Sequence, residues 1–183
     1  MDVKWPQKSS AIQAMIALFL AFGLAIAAIG CVSVQERQAR QIRDQTYRIS
    51  LVERVQSHVY AMKCASLLPF AADLLWEEGF EVELTGDPID SAITDFRERD
   101  DTRRVRYEVH TQPVDSHQCA VQFVRHEELG TQTHRHRDPS RELTLLDRVD
   151  EDAARRARFE AHQEAQRAYE EARRDPDAEP TSW

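Results

Sequence analysis

The stretch RRVRYEVHTQPVDSHQCAVQFVRH, residues 103–126, decides the fold. Apolar residues occupy every second position in its two halves: Val105, Tyr107, Val109, Cys119, Val121 and Phe123. This period of two predicts two strands, residues 103–111 and 119–126, each with one buried face and one face in water. The intervening QPVDSH has turn composition. We therefore predict an antiparallel hairpin.

Elements on both sides extend this hairpin into a domain. CASLLPFAADLLWEEGF, residues 64–80, predicts a helix in which Pro69 causes a kink or a new start, and Gly79 ends the helix while Phe80 folds back. FEVEL (80–84) and IDSAITDF (89–96) predict two more strands around a TGDP turn. GTQTHRHRDPS (130–140) predicts a loop, and RELTLL (141–146) a short strand or a helix start. Residues 64–146 are thus predicted to form a small α+β domain, with an antiparallel sheet of three to four strands packed on a helix.

Helices are predicted on both flanks of this domain. Residues 35–63 predict an amphipathic stalk, from the spacing of Ile42, Ile49, Val52, Val55, Val59 and Met62. A short coiled coil and a helix packed on its own domain both fit that pattern. Residues 147–175 predict a long, charged C-terminal helix with an alanine stripe that includes Ala153, Ala157 and Ala161. Since alanine buries little area, we expect partial packing there, followed by a disordered tail over residues 176–183.

The first 34 residues predict a membrane anchor or a lipoprotein-type signal. Ala14–Gly30 has no polar side chain and follows Lys4 and Lys8, and about 20 apolar residues match the thickness of a bilayer. Gly30 before Cys31 also resembles a lipobox, in which Cys31 would carry the lipid. The length of the apolar run, and the lack of a flexible tether after Cys31, favour a spanning helix over a cleaved signal.

The cysteines connect this topology to a compartment. Cys64 shares a predicted helix face with Leu68, and Cys119 shares a strand face with Phe123, so both are expected in one core. They are either a disulfide or two buried thiols, and the disulfide is favoured outside the cytoplasm. We therefore predict a single-pass inner-membrane protein with a periplasmic C-terminal domain, in preference to an outer-membrane lipoprotein.

Composition narrows the class of function. The formal net charge is -8, and the arginines are interspersed with acidic residues, which argues against nucleic-acid binding. We find no nucleophile elbow, phosphate-binding loop or HExxH motif, so we predict no catalytic residue and no cofactor. His134 and His136 are expected to be solvated loop residues; as an alternative, they could bind a metal or another ligand in a lipoprotein.

The helix ending in EEGF, the short strand, the GDP turn and the RVRYEVHT/CAVQFVRH pair together resemble the helix-grip domains of bacterial envelope lipoproteins, of the kind found in the outer-membrane barrel assembly machinery. The resemblance covers about residues 64–127. It implies a non-enzymatic accessory protein that binds another envelope protein at the membrane. We therefore predict a membrane-anchored envelope protein with an α+β interaction or scaffold domain, of an oligomeric state that the sequence does not fix.

Overall fold

A computed structural model describes residues 34–100 and 102–174. Helix α1 covers residues 34–56. It is followed by α2 Cys64–Glu77, β1 Val82–Gly86, β2 Ile89–Thr94, β3 Arg97–Asp100, β4 Arg103–Pro113, β5 Cys119–Leu129, β6 Gln132–Arg137, α3 Pro139–Val149 and α4 Glu151–Arg174. The chain divides into two compact units, one comprising Tyr47–Glu164 and the other having residues 34–46 and 165–174 as its described part. The α+β class is confirmed.

The strands within residues 34–100 and 102–174 belong to one antiparallel sheet with the order β1-β2-β4-β5-β6, and β3 pairs with β4 beside this path. Strand β5 pairs along the whole length of β4, so that one edge of β4 is fully occupied. On the opposite edge, β2 pairs Ile93 with Glu108 and β3 pairs Arg97 with Val105. Strands β2 and β3 are therefore consecutive segments along the same side of β4.

One face of the sheet, here called the core face, packs against α2 and α3. The alternating residues of the hairpin are at most 7% exposed: Val105, Tyr107, Val109, Cys119, Val121 and Phe123. The helices contribute Leu67, Leu68, Ala71, Leu74, Leu75, Leu145 and Leu146. The predicted burial pattern of the hairpin is confirmed.

Helix α2 ends as its sequence predicts, but it does not start at Pro69. Gly79 has a φ of 84°, and its N–H donates to the Trp76 carbonyl at 2.8 Å. Phe80 folds back, donates its N–H to the Leu75 carbonyl at 3.1 Å, and packs edge-on against Tyr107. Of the two alternatives predicted at Pro69, a kink and a new helix start, the new start is wrong, because α2 begins at Cys64 and continues through this exposed residue.

The sheet has six strands, so the prediction of three to four is wrong. Strand β3, RERD, is exposed at every position and has no apolar alternation. Strand β6, QTHRHR, lies inside the predicted loop 130–140 and is also almost entirely exposed. Both strands are defined by their backbone hydrogen bonds to a neighbouring strand. Such pairing leaves no trace in the hydropathy pattern, so the sequence did not predict either strand.

The segment after β6 is helical, and two aspartates define its boundaries. Asp138 caps α3 by accepting the Ser140 N–H at 3.1 Å, and Pro139 occupies the first turn. The predicted helix 147–175 is interrupted at Asp150, which follows α3 and accepts the Ala153 N–H at 2.9 Å at the start of α4. Residues 141–146 therefore belong to α3.

Within the Tyr47–Glu164 unit, α1 packs against α4, which corresponds to the second of the two stalk alternatives. The Ser50 hydroxyl donates to Glu164 at 2.7 Å, and Arg54 pairs with Glu160 at 2.5 Å. Val55 is buried, whereas Ile49 of the predicted apolar stripe is 47% exposed. In the other unit, the Tyr169 hydroxyl donates to Glu36 at 2.6 Å. Ala153, Ala157 and Ala161 of the predicted alanine stripe are buried.

Across residues 34–100 and 102–174, no helix has both the length and the apolar character needed to cross a bilayer. Helix α4, the longest of the four described helices, is rich in Arg and Glu. The prediction of a single-pass inner-membrane protein is contradicted and is not retained. Ala14–Gly30, Cys31 and the predicted tail 176–183 lie outside the described residues.

Candidate interaction surface

The side of the sheet opposite the core face, here called the open face, is polar. Strand pairing places Arg104, Arg106, Glu108, His110, Gln122, Val124, His126, Glu128, Thr133 and Arg135 on it. Arg104, His110, Gln122 and Arg135 are exposed. Val124 and His126 are buried, at 4% and 9% exposed, so the open face is accessible in part.

Glu108 lies at the centre of a charged cluster, called here the Glu108 cluster. Its carboxylate is 3.1 Å from Nε2 of His126 and 3.5 Å from Nε2 of His110. The guanidinium groups of Arg106 and Arg135 lie 3.1 Å and 3.6 Å from it. These four partners come from three adjacent strands, β4, β5 and β6. One carboxylate among two arginines leaves the cluster net positive even when both histidines are neutral.

The environment of Glu108 keeps it ionised. Burial, the largest single influence, raises the pKa of the Glu108 carboxyl, whose side chain is 18% exposed. The contact with His126 and the positive charges of Arg106 and Arg135 together outweigh burial, so this pKa lies below its usual value. At neutral pH the carboxylate is therefore charged and attracts the cationic groups around it.

An aromatic ring with two arginines extends the cluster toward β3. Arg104 and Arg106 lie over the ring of Phe96, at 5.2 Å and 5.1 Å from its centroid. Arg104 Nε also donates to Glu128 at 3.1 Å. Arginine and aromatic side chains are enriched where proteins bind one another, because they offer large contact areas together with hydrogen bonds.

A surface groove of about 340 Å³ adjoins the cluster beside β1 and β2. Its lining includes Glu81, Glu83, Ile93, Asp95 and Arg106. Sites for small ligands are usually enclosed and mostly apolar. This open, charged groove is better suited to side chains of a macromolecular partner.

A second charged network holds α3 on the sheet. The Glu142 carboxylate, 1% exposed as a residue, accepts from Arg137 Nε at 2.6 Å and from the Phe123 N–H at 3.2 Å. Burial raises the pKa of Glu142, and Arg137 opposes this. These groups face one another between α3 and the end of β6. We therefore assign them a role in stabilising the fold and do not count them as part of the candidate interaction surface.

Arg141 completes this network from α3. It pairs with Asp138 at 2.7 Å, also contacts Glu78, and lies over the Tyr107 ring at 3.8 Å from its centroid. Burial, the largest influence, raises the pKa of Asp138, but the hydrogen bonds from Ser140 and the charge of Arg141 hold it below its usual value. The charge of Asp138 therefore contributes to stability.

Cys64 and Cys119 form a disulfide, and the alternative of two free thiols is wrong. The bond joins the start of α2 to the start of β5, with the two Cα atoms 5.1 Å apart. Cys119 is fully buried and also forms a backbone bridge with Tyr60. This disulfide is typical of an oxidising compartment.

His134 and His136 lie on strand β6, so their predicted placement in a loop is wrong. Both are on the register of the core face, where they pair with Glu127 and Arg125. Among residues 34–100 and 102–174, no three His, Cys, Asp or Glu side chains lie together so that they could hold a metal ion. Cys31, the candidate lipidation site, is outside the described chain.

Sequence patterns identify part of the open face but not the Glu108 cluster. The alternation of residues 103–111 assigns Arg104, Arg106, Glu108 and His110 to the exposed side of one strand. Only the register of β4 with β5 brings His126 alongside, opposite Arg106. Arg135 can be assigned to the Glu108 cluster only if the sequence around it is recognised as strand β6.

The chain matches no protein-family model, and a search of curated proteins found no similar sequence. The resemblance to helix-grip domains therefore stays a prediction.

Proposed function

We propose that the Tyr47–Glu164 unit is a non-enzymatic interaction domain of an oxidising compartment, and that it binds a partner protein with its open face. The observation that carries this proposal is the Glu108 cluster, in which one carboxylate lies within 3.6 Å of four cationic or titratable side chains on the open face. The disulfide supports the choice of compartment.

The composition of the surface favours a protein as the partner. Two exposed or half-exposed arginines and Phe96 form a rigid amphipathic patch beside the cluster. Such groups can accept carboxylates and backbone carbonyls while burying aromatic area. A net acidic chain with mixed surface charges is poorly suited to nucleic acid, as noted above.

The experiment compares proteins that co-purify with the tagged full-length chain from cells of its source. The open-face variant carries Arg104→Glu and Gln122→Glu, both at exposed positions. The matched control carries Arg48→Glu and Gln163→Glu, exposed on helices α1 and α4. Both variants change the net charge equally, so nonspecific charge effects cancel.

We expect a discrete protein that is retained by the wild type and the control and lost from the open-face variant, quantified by mass spectrometry. If both variants retain the same proteins in equal amounts, the open face is not the binding surface. Circular dichroism spectra that match the wild type establish that each variant is folded.

A further inference from the structure

Strand β1 is an uncovered edge of the sheet. It lies at one end of the strand order, and in the described part of the chain only β2 pairs with it. Such an edge presents unpaired backbone N–H and C=O groups to a further strand. Proteins that recognise extended peptides often bind them in this way, as an additional strand at a sheet edge.

The core-face side of β1 carries an apolar side chain that reaches solvent. Leu84 pairs with Ala92, which is 1% exposed, but Leu84 itself is 46% exposed. Val82, on the same side of β1, is half-buried and packs against the core. The hydrophobic core therefore ends at β1 with apolar surface that a further strand would cover.

Helix α2 has apolar residues on the flank that faces away from α3. Glu77 marks the α3 side of the helix, because its carboxylate pairs with Arg148. Measured from the fully buried Ala71, at about 100° per residue, Glu77 is turned about 120° in one direction. Ala72 and Trp76 are turned about 100° and about 140° in the other direction. They therefore lie on the opposite flank.

This flank of α2 lies toward β1. Helix α3 packs on β5, whereas α2 packs mainly on β2 and β4, and β1 follows on the far side of β2. Trp76 is 70% exposed. Trp76 and Leu84 are therefore on the side of the domain along which a strand added to β1 would run. The core-face side chains of that strand would meet apolar surface.

The opposite side of β1 is acidic. Side chains alternate along a strand, so Glu83, next to Leu84, is directed to the open face, where it is exposed. Glu81, Glu83 and Asp95 line the groove of about 340 Å³ beside β1 and β2, together with Arg106. Carboxylates outnumber guanidinium groups in this lining, which favours basic side chains on the open-face side of an added strand.

We propose that the β1 edge binds an extended segment of another protein as a further antiparallel strand. The segment alternates apolar side chains, which contact Leu84 and Trp76, with basic side chains, which pair with Glu81 and Glu83. A second copy of β1 is a poor occupant, because it would bring the carboxylates of two Glu83 residues close together. The proposal concerns the edge of the sheet and does not depend on a partner of the Glu108 cluster.

Binding of a labelled peptide to the purified full-length chain, followed by fluorescence anisotropy, tests the proposal. The probe peptide alternates lysine and valine. Its control has the same composition with all lysines in one block and all valines in another. We expect the alternating peptide to bind about tenfold more tightly than the block peptide. Equal binding of the two peptides, or no binding of either, would overturn the proposal.

Backbone methylation of the peptide tests strand addition itself. Alternate residues of an extended chain direct their N–H groups to the same edge, so N-methylation at every lysine blocks one edge and N-methylation at every valine blocks the other. One of the two methylated peptides should lose binding, and the other should bind as the unmethylated peptide does. Loss of binding with both peptides, or with neither, would contradict pairing along one edge.

Two variants of the chain test the side-chain contacts. Glu83→Lys should weaken binding about tenfold, because it replaces an attractive cross-strand pair by a repulsive one. The matched control Glu53→Lys, exposed on α1, should change the affinity by less than about twofold. Trp76→Ala should weaken binding about fivefold, whereas Phe159→Ala, a 63% exposed aromatic residue on α4, should not. Equal effects of a variant and its control would overturn the assigned contacts. All four positions are exposed, so each variant is expected to keep the wild-type circular dichroism spectrum and melting temperature.

Discussion

Removing the disulfide should lower the stability of the fold substantially. Cys64 and Cys119 are separated by 55 positions. The disulfide keeps a loop of this length closed in the unfolded chain. In the chain-entropy relation, the conformational entropy lost in this way raises the free energy of the unfolded state by about 4 kcal/mol at room temperature. Replacing the fully buried Cys119 by alanine also removes core contacts, worth about 1 kcal/mol. For the Cys64→Ala/Cys119→Ala variant we expect a loss of about 3 to 5 kcal/mol, or on the order of 15 °C in Tm.

Urea denaturation of the full-length chain, followed by circular dichroism, measures this loss. Cys31→Ala is the matched control, since it removes a cysteine and leaves the disulfide intact. The m-value, the slope of the unfolding free energy against urea concentration, should also rise in the double variant, because its unfolded chain is more expanded and exposes more surface. A loss below about 1 kcal/mol relative to the control would refute the assignment of the disulfide as a main stabilising element.

Three further measurements test individual groups. Glu142→Ala leaves an arginine and a buried backbone N–H without their acceptor, so urea denaturation should show that the free energy of unfolding falls by about 2 to 4 kcal/mol. The control Glu98→Ala, at an exposed position, should change it by less than about 0.5 kcal/mol. Equal losses in the two variants would contradict the role of Glu142 in stabilising the fold. Asp138→Asn should destabilise the fold at neutral pH. Because folding lowers the pKa of Asp138, the difference in unfolding free energy from wild type should shrink as the pH falls below about 4. A difference that grows in acid would contradict a lowered pKa in the folded state. If the alternative metal-binding function holds, the purified wild-type chain should retain metal that the His134→Ala/His136→Ala variant loses, as measured by mass spectrometry of the metals; we expect equal, background amounts.

Local patterns sufficed to predict the middle of the fold. The alternation in residues 103–126 reflects burial on one side of two long, paired strands, and each strand carries that record in its own sequence. Gly79 and Phe80 record the end of α2 in the same local way, because a left-handed residue and a returning apolar side chain are adjacent in sequence.

The edge strands and the Glu108 cluster could not be predicted in that manner. Strands β3 and β6 bury almost nothing, so their conformation depends on backbone bonds to partners that hydropathy does not reveal. The cluster joins Glu108 to His126, which is 18 positions away in sequence, through the register of β4 with β5. That register depends on the conformation of the turn between them, which composition alone does not specify.

Site-specific photocrosslinking in cells of the source gives the most direct test of the open face as the binding surface. A photoreactive amino acid replaces Gln122, exposed on the open face, and in a matched control it replaces Asp73, exposed on α2. The account predicts a discrete covalent adduct with one protein from position 122 and none, or only diffuse products, from position 73. An adduct that forms equally at both positions, or only at position 73, would contradict it.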